Sequence, residues 1–157
     1  MQEYEEGFGH TFYDMADFLS ELQLTETWPE RSVLRLDDGD FSRLAEVVYR
    51  VGNVLFCIEE VDLYATPHEI DHWLSRLVRH GRHRAVELLV VSRRPAEISR
   101  HLTANADEIF VGQFHEPRDL LFFRELGLND EIMPEQFHFV SVNTSSGERR
   151  LTNTYIG

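Results

Sequence analysis

Residues Val54–Ile58 (VLFCI) form an unbroken apolar run that ends in two adjacent carboxylates, Glu59 and Glu60. A run of this length with no polar alternation predicts a strand buried on both faces, as in a parallel sheet covered by helices. Ligand sites in open α/β sheets lie beyond the carboxyl ends of the strands, so the two acids fall where chemistry is usually done. Paired acids there suit one task. One holds a divalent cation, directly or through water, and the other orients or deprotonates an attacking water. The plain alternative is an apolar strand followed by a solvated acidic turn.

The rest of the chain has the length to surround such a strand. Its 157 residues suffice for one domain with a core, and the 42% apolar fraction excludes a disordered chain. The formal charge of −13 disfavours broad contact between this domain alone and nucleic acid, whose affinity comes from basic side chains. The acidity is uneven: residues 1–30 are acid-rich, while 76–100 are distinctly basic. Cys57 is the only cysteine and can form no internal disulfide, so a reducing, cytoplasmic compartment is the simplest reading. No leader-like segment is visible, and no apolar run is long enough to span a bilayer, so no membrane contact is expected.

Strand and helix patterns alternate over residues 32–126. Residues 1–9 read as irregular, and Thr11 or Asp14 can cap a helix over 15–24. Residues 32–36 (SVLRL) alternate as a strand, and Asp40 opens a helix over 41–51. After the acids, Thr66-Pro67 reads as the start of a helix over 68–80, stopped by Gly81. Residues 85–91 (AVELLVV) read as a second buried strand, 95–102 as a helix, 107–111 as a third strand and 116–126 as a helix. Residues 137–142 and 149–155 flank Ser145-Ser146-Gly147 as a hairpin, which the pattern leaves as an appendage to the core. The fold class is therefore α/β: one domain over 1–157, with an acidic segment and helix over 1–31, a parallel-sheet core over 32–126 and a C-terminal hairpin over 127–157.

Three further clusters could carry chemistry. Ser92-Arg93-Arg94-Pro95 stands at the carboxyl end of the second strand, placed to meet Glu59 and Glu60. A polar or cationic group there can sense a terminal phosphate or hold an attacking water. Arg79-His80-Gly81-Arg82-His83-Arg84 occupies a helix-to-strand turn, at the opposite end of a parallel sheet. Its arginines could reach a neighbouring subunit's nucleotide, or could simply form a solvated basic loop. Finally, His68-Glu69-Ile70-Asp71-His72 spells H-E-x-x-H. On a helix, His68 and His72 would lie one turn apart and could bind zinc, with Glu69 as general base.

Taken in order, these motifs resemble the nucleic-acid-pumping P-loop ATPases of the HerA/FtsK type, particularly the phage packaging and Zot-like branch. The resemblance covers residues 32–126. It rests on Glu59-Glu60-Val61-Asp62, Gly81-Arg82-His83, Ser92-Arg93-Arg94-Pro95, Asp107-Glu108-Ile109 and Glu116-Pro117-Arg118-Asp119. It implies a RecA/ASCE-like sheet in which the apolar strand is Walker B and the Ser-Arg-Arg-Pro strand matches the sensor strand. Glu59, Glu60, Ser92 and Arg93 then form the catalytic rim, and Glu59 holds Mg2+ through water. Arg79, Arg82 and Arg94 serve as arginines facing nucleotide or a subunit boundary. ATP and Mg2+ are the implied cofactors, and DNA is reached through an assembly.

The chain departs from the pattern in two places. Glu59 stands where Asp is usual, and no G-x-x-x-x-G-K followed by Ser or Thr occurs. Gly7-Phe8-Gly9-His10-Thr11 is the nearest glycine-rich run and has no lysine. The alignment that follows sets Met1 after the family's second strand, with residues 2–5 matching the segment after it, so the chain reads as the second half of a motor domain. Such a half leaves two buried sheet edges to be paired with each other or with another chain. Three functional readings result: an ATPase-like motor domain unable to hydrolyse ATP alone, a non-catalytic interaction module of the same fold, and a zinc hydrolase through His68 and His72.

Overall fold

The computed structural model describes residues 9–25, 27–35, 37–113, 115–125, 127, 134 and 138–153. The chain divides into two compact units. The first comprises Met1–Cys57 and Asp71–Leu89, the second Ile58–Ile70 and Val90–Gly157. Among the described residues, no helix is long and apolar enough to cross a membrane.

In the first unit, strand β1 (His10–Phe12) pairs in parallel with β2 (Ser32–Leu34). A short strand therefore lies where the sequence reads as the edge of an irregular segment. Helix α1 (Met15–Thr25) follows, and Asp14 opens it by accepting from the backbone N–H of Ala16 at 2.6 Å and of Asp17 at 3.3 Å. Phe12, Met15 and Phe18 are buried together. Phe18 stacks on Trp28 at 6.1 Å between ring centroids, and the Trp28 indole N–H donates to Gly52 O at 2.6 Å.

Helix α2 (Phe41–Val51) buries Phe41, Leu44, Ala45 and Val48, an i, i+3, i+4, i+7 stripe. Gly52, at φ +70°, turns the chain out of α2 and toward β3 (Val54–Ile58). Helix α3 (His72–His80) packs on α2 through Leu74 and Leu77. A 3-10 turn over Gly81–Arg84 leads into β4 (Val86–Val90).

Strands β3 and β4 pair with each other. Their bonds advance in the same direction along both chains, from Val54 N–H to Ala85 O at 3.1 Å to Val91 N–H to Ile58 O at 2.9 Å, so the pair is parallel. The expectation of burial on both faces fails. Leu55 is 62% and Leu89 47% exposed, and Cys57 is exposed as well. The alternation along each strand shows one face covered and the other open.

The second unit holds an antiparallel sheet, β5 (Glu108–Val111), β6 (His138–Asn143) and β7 (Arg149–Asn153), in that order. Ile109 faces Val142 across one pair and Val140 faces Leu151 across the other. The terminal hairpin is thus no appendage: its first strand, β6, pairs antiparallel with β5. Phe137, Thr154 and Tyr155 of the predicted hairpin lie outside the described residues. The predicted helix over 95–102 is instead a 3-10 turn at Pro95–Glu97 and a separate helix α4 (Arg100–Asn105). Ser99 starts α4 anew by accepting from His101 N–H. Helix α5 (Pro117–Glu125) falls where a helix was expected, and Leu126 lies outside the described residues. Val61, Ala65, Leu102, Val111, Phe122 and Val140 form the unit's apolar interior.

Candidate functional site

The carboxyl ends of β3 and β4 bring two of the predicted clusters together inside the second unit. Val61 N–H donates to Val91 O at 3.0 Å, which holds the chain beyond each strand end side by side. Glu60 sits in the left-handed region, at φ 50° and ψ 46°. That conformation costs a non-glycine residue about 1–2 kcal/mol, and strain of this kind gathers where a side chain must be aimed. The Glu60 carboxylate is paired with the Arg93 guanidinium, and both side chains are solvent-exposed.

Beside this pair, Ser92 links two segments. Its hydroxyl donates to Asp62 Oδ1 at 3.0 Å and accepts from the Arg94 N–H at 3.0 Å. The Arg94 side chain turns the other way, onto Asp119 at 3.2 Å, with Glu97 at 3.3 Å and Glu116 at 3.8 Å. Asp119 also accepts from Ala96 N–H at 3.0 Å, and its side chain is only 3% exposed. Arg94 therefore ties α5 to the turn after β4. Asp62 and Asp119 were not singled out from sequence. Asp62 ends the quoted Glu-Glu-Val-Asp run. Asp119 stands in the first turn of a helix, where an acid ordinarily reads as a solvated partner of the helix dipole.

Arg79 and Arg82 belong to the first unit, at the end of α3 and in the turn after it. Both are exposed. The H-E-x-x-H segment does not lie on one helix, because α3 begins at His72. Asp71 caps it, accepting from Trp73 N–H and Leu74 N–H at 2.9 Å each. Thr66 Oγ1 accepts from His68 N–H and Glu69 N–H in a separate turn, and Ala65 bridges Ile70. His68 thus stands outside the helix that carries His72. Among the described residues no three His, Cys, Asp or Glu side chains gather as a metal site.

The acids at the strand ends suit Mg2+, which takes one or two carboxylates and fills its remaining positions with water or phosphate. The residues do not fit ATP. The 157 residues contain no lysine. Gly9 of the glycine-rich run lies against the chain before β2, where a Cβ would come within 2.5 Å of Arg31 O. Its small size serves the approach of β1 to that segment. A phosphate cradle needs successive backbone N–H groups at a helix start, and a lysine. No reaction step through a nucleotide follows from these residues alone. What they can do is hold a carboxylate and a hydroxyl in register on one rim, with Arg93 balancing the charge on Glu60.

No protein-family model matches the chain, and no curated protein matches it. Solved structures do. The genome packaging NTPase B204 from Sulfolobus turreted icosahedral virus 2, in complex with ATP-gammaS, superposes with a TM-score of 0.74 at 16% identity, over 95% of this chain and 75% of that one. Its complex with AMPPCP gives a TM-score of 0.75 at 16% identity, over 96% of this chain and 75% of that one. B204 from Sulfolobus turreted icosahedral virus, described as a DNA-packaging ATPase, gives 0.71 at 16% identity, over 99% and 79%. At that identity the likeness shows the fold alone: this chain shares the overall fold of those structures.

Proposed function

We propose that this chain is an ATPase-like domain of a DNA translocation or packaging motor, and that its phosphate-binding lysine comes from another segment or chain. The observation that carries the reading is the rim itself. Glu60, Asp62, Ser92 and Arg93 meet at the ends of two parallel strands, on a fold similar to a packaging NTPase solved with bound nucleotide analogues. In this reading Glu59 would hold Mg2+ and Glu60, paired here with Arg93, would serve as the carboxylate facing water. Ser92 senses the phosphate, and Arg94 holds the sensor turn through Asp119. A partner chain that completes the sheet would bring the lysine, which no further copy of this chain can supply, while assembly as a homo-oligomer would pair the sheet edges. DNA then contacts the assembly rather than this acidic chain alone.

A second reading, a non-catalytic interaction module, is favoured by the absence of lysine together with the open face of β3 and β4. Nucleotide binding and hydrolysis decide between them. They are measured on the chain as it stands and on a fusion carrying a strand, a glycine–lysine loop and a helix upstream. The motor reading expects no turnover by the chain alone, saturable Mg-ATP binding by the fusion, and a loss of turnover of about 100-fold or more on Glu60→Gln. Turnover by the chain alone would show a phosphate cradle built without lysine. A fusion that folds and binds ATP, but whose turnover ignores Glu60→Gln and Ser92→Ala, would reject the rim as catalytic.

A further inference from the structure

We infer that the arginine–aromatic face of α2 and α3 docks the acidic face of α1 on a second copy of this chain. The inference rests on the assembly half of the proposed function and is independent of nucleotide. It starts from Trp73 and Tyr49, whose ring centroids lie 5.8 Å apart where α3 packs on α2. The Arg76 guanidinium lies 4.8 Å from the Tyr49 ring and 5.2 Å from the Trp73 ring, and Arg50 lies 5.5 Å from Trp73. A guanidinium stacked on a ring loses little freedom on binding and keeps its N–H edges for a planar anion.

Arg79 follows one turn after Arg76, and Arg82 follows in the next turn of chain. Some arginines of the chain have a carboxylate partner and others, among the described residues, have none. Arg50, Arg93, Arg94, Arg100 and Arg150 each have one. Among the described residues, Arg76, Arg79 and Arg82 form no ion pair. Arginine, tryptophan and tyrosine are also the residues that carry most of the binding energy at protein interfaces.

The same unit offers the complement. Asp17, Glu21 and Leu24 recur at spacings that keep them on one face of α1, and Asp14 caps its start. Leu24 is 81% exposed, and Tyr13 beside Asp14 is 73% exposed. Among the described residues, no cation pairs with those three acids. An acidic face with an apolar end therefore meets a cationic face with an aromatic centre. A nucleic acid fits less well, because it would answer the arginines and leave the acids beside α1 without a cation, whereas a second copy answers both faces at once. The two faces are different surfaces, so the contact is head-to-tail and repeats into a ring or a filament.

Sedimentation of the whole chain without nucleotide tests this. Species above the monomer are expected at low salt, dissociating at about 0.5 M salt. R76E/R79E and D17R/E21R should each weaken association by about tenfold or more, with unchanged far-ultraviolet dichroism. A chain carrying both pairs of changes, or an equal mixture of the two variants, should associate again, because every contact is then between opposite charges. Restoration is the outcome that a merely destabilised variant cannot produce. A wild-type chain that stays monomeric at all concentrations would overturn the inference, as would association that ignores both variants. Retention of a DNA oligonucleotide through Arg76 and Arg79, without self-association, would assign the face to nucleic acid instead. The test needs no nucleotide, so its failure is distinguishable from a failure of the fused-segment experiment.

Discussion

Asp119 carries a formal charge into the interior of the second unit, where its side chain is 3% exposed. It is tolerated there because Arg94 and the Ala96 N–H share its two oxygens. Removing it leaves Arg94 with the more distant Glu97 and Glu116, and leaves a backbone donor unsatisfied. Asp119→Ala should therefore cost about 2–3 kcal/mol in urea unfolding, and a change below about 0.5 kcal/mol would show that Arg94 does not depend on it. The meeting of Glu60 with Arg93 was legible in the sequence, because strand ends in a parallel sheet share a rim. The inward turn of Arg94 was not. Its neighbour Arg93 has the same side chain, and only the buried Asp119 on a distant helix separates the two roles.

Short elements depend on their ends. Arg84 donates to the carbonyls of Tyr49 at 3.1 Å and of Arg50, the last turn of α2. Its own carbonyl accepts from Asn53 N–H at 2.8 Å, so the start of β4 and the exit from α2 are fastened together. Gly52 lies in this junction at φ +70°, and a Cβ there would overlap the Arg84 backbone. Gly52→Ala should lower stability by about 2–4 kcal/mol, combining left-handed strain with a steric overlap that backbone cannot relieve. Thermal unfolding measures it, and a midpoint unchanged within error would mean that the junction is slack. Most helices and strands were legible because their apolar spacing is regular. The starts of α3 and α4 were displaced from the sequence reading because Thr66, Asp71 and Ser99 are all acceptable caps. Choosing among them depends on tertiary contacts such as the Ser99 N–H bond to Ala65 O at 2.8 Å.

At the scale of the whole molecule, alternating strand and helix patterns pointed to one parallel sheet, and the strands instead form separate ladders. β1 with β2 and β3 with β4 are parallel pairs, whereas β5, β6 and β7 are antiparallel. Composition cannot reveal this, since an apolar run reads the same whether its second face is covered or open. On the open face of β3 and β4 lies Cys57, the only cysteine in the chain, with Leu55 exposed on the same strand face. Exposed apolar sheet faces bind something in working assemblies. The thiol makes that face observable without mutation. Cys57 in the native chain should react stoichiometrically with an aromatic disulfide reagent at a rate within about tenfold of the denatured chain. Addition of a segment that covers the face, such as the upstream strand, loop and helix of the fusion described above, should slow the reaction by about 100-fold or more. Reaction that waits for global unfolding in the chain alone would mean that the face is already covered. The proposed need for a completing segment would then lose its structural basis, whatever the nucleotide chemistry at Glu60.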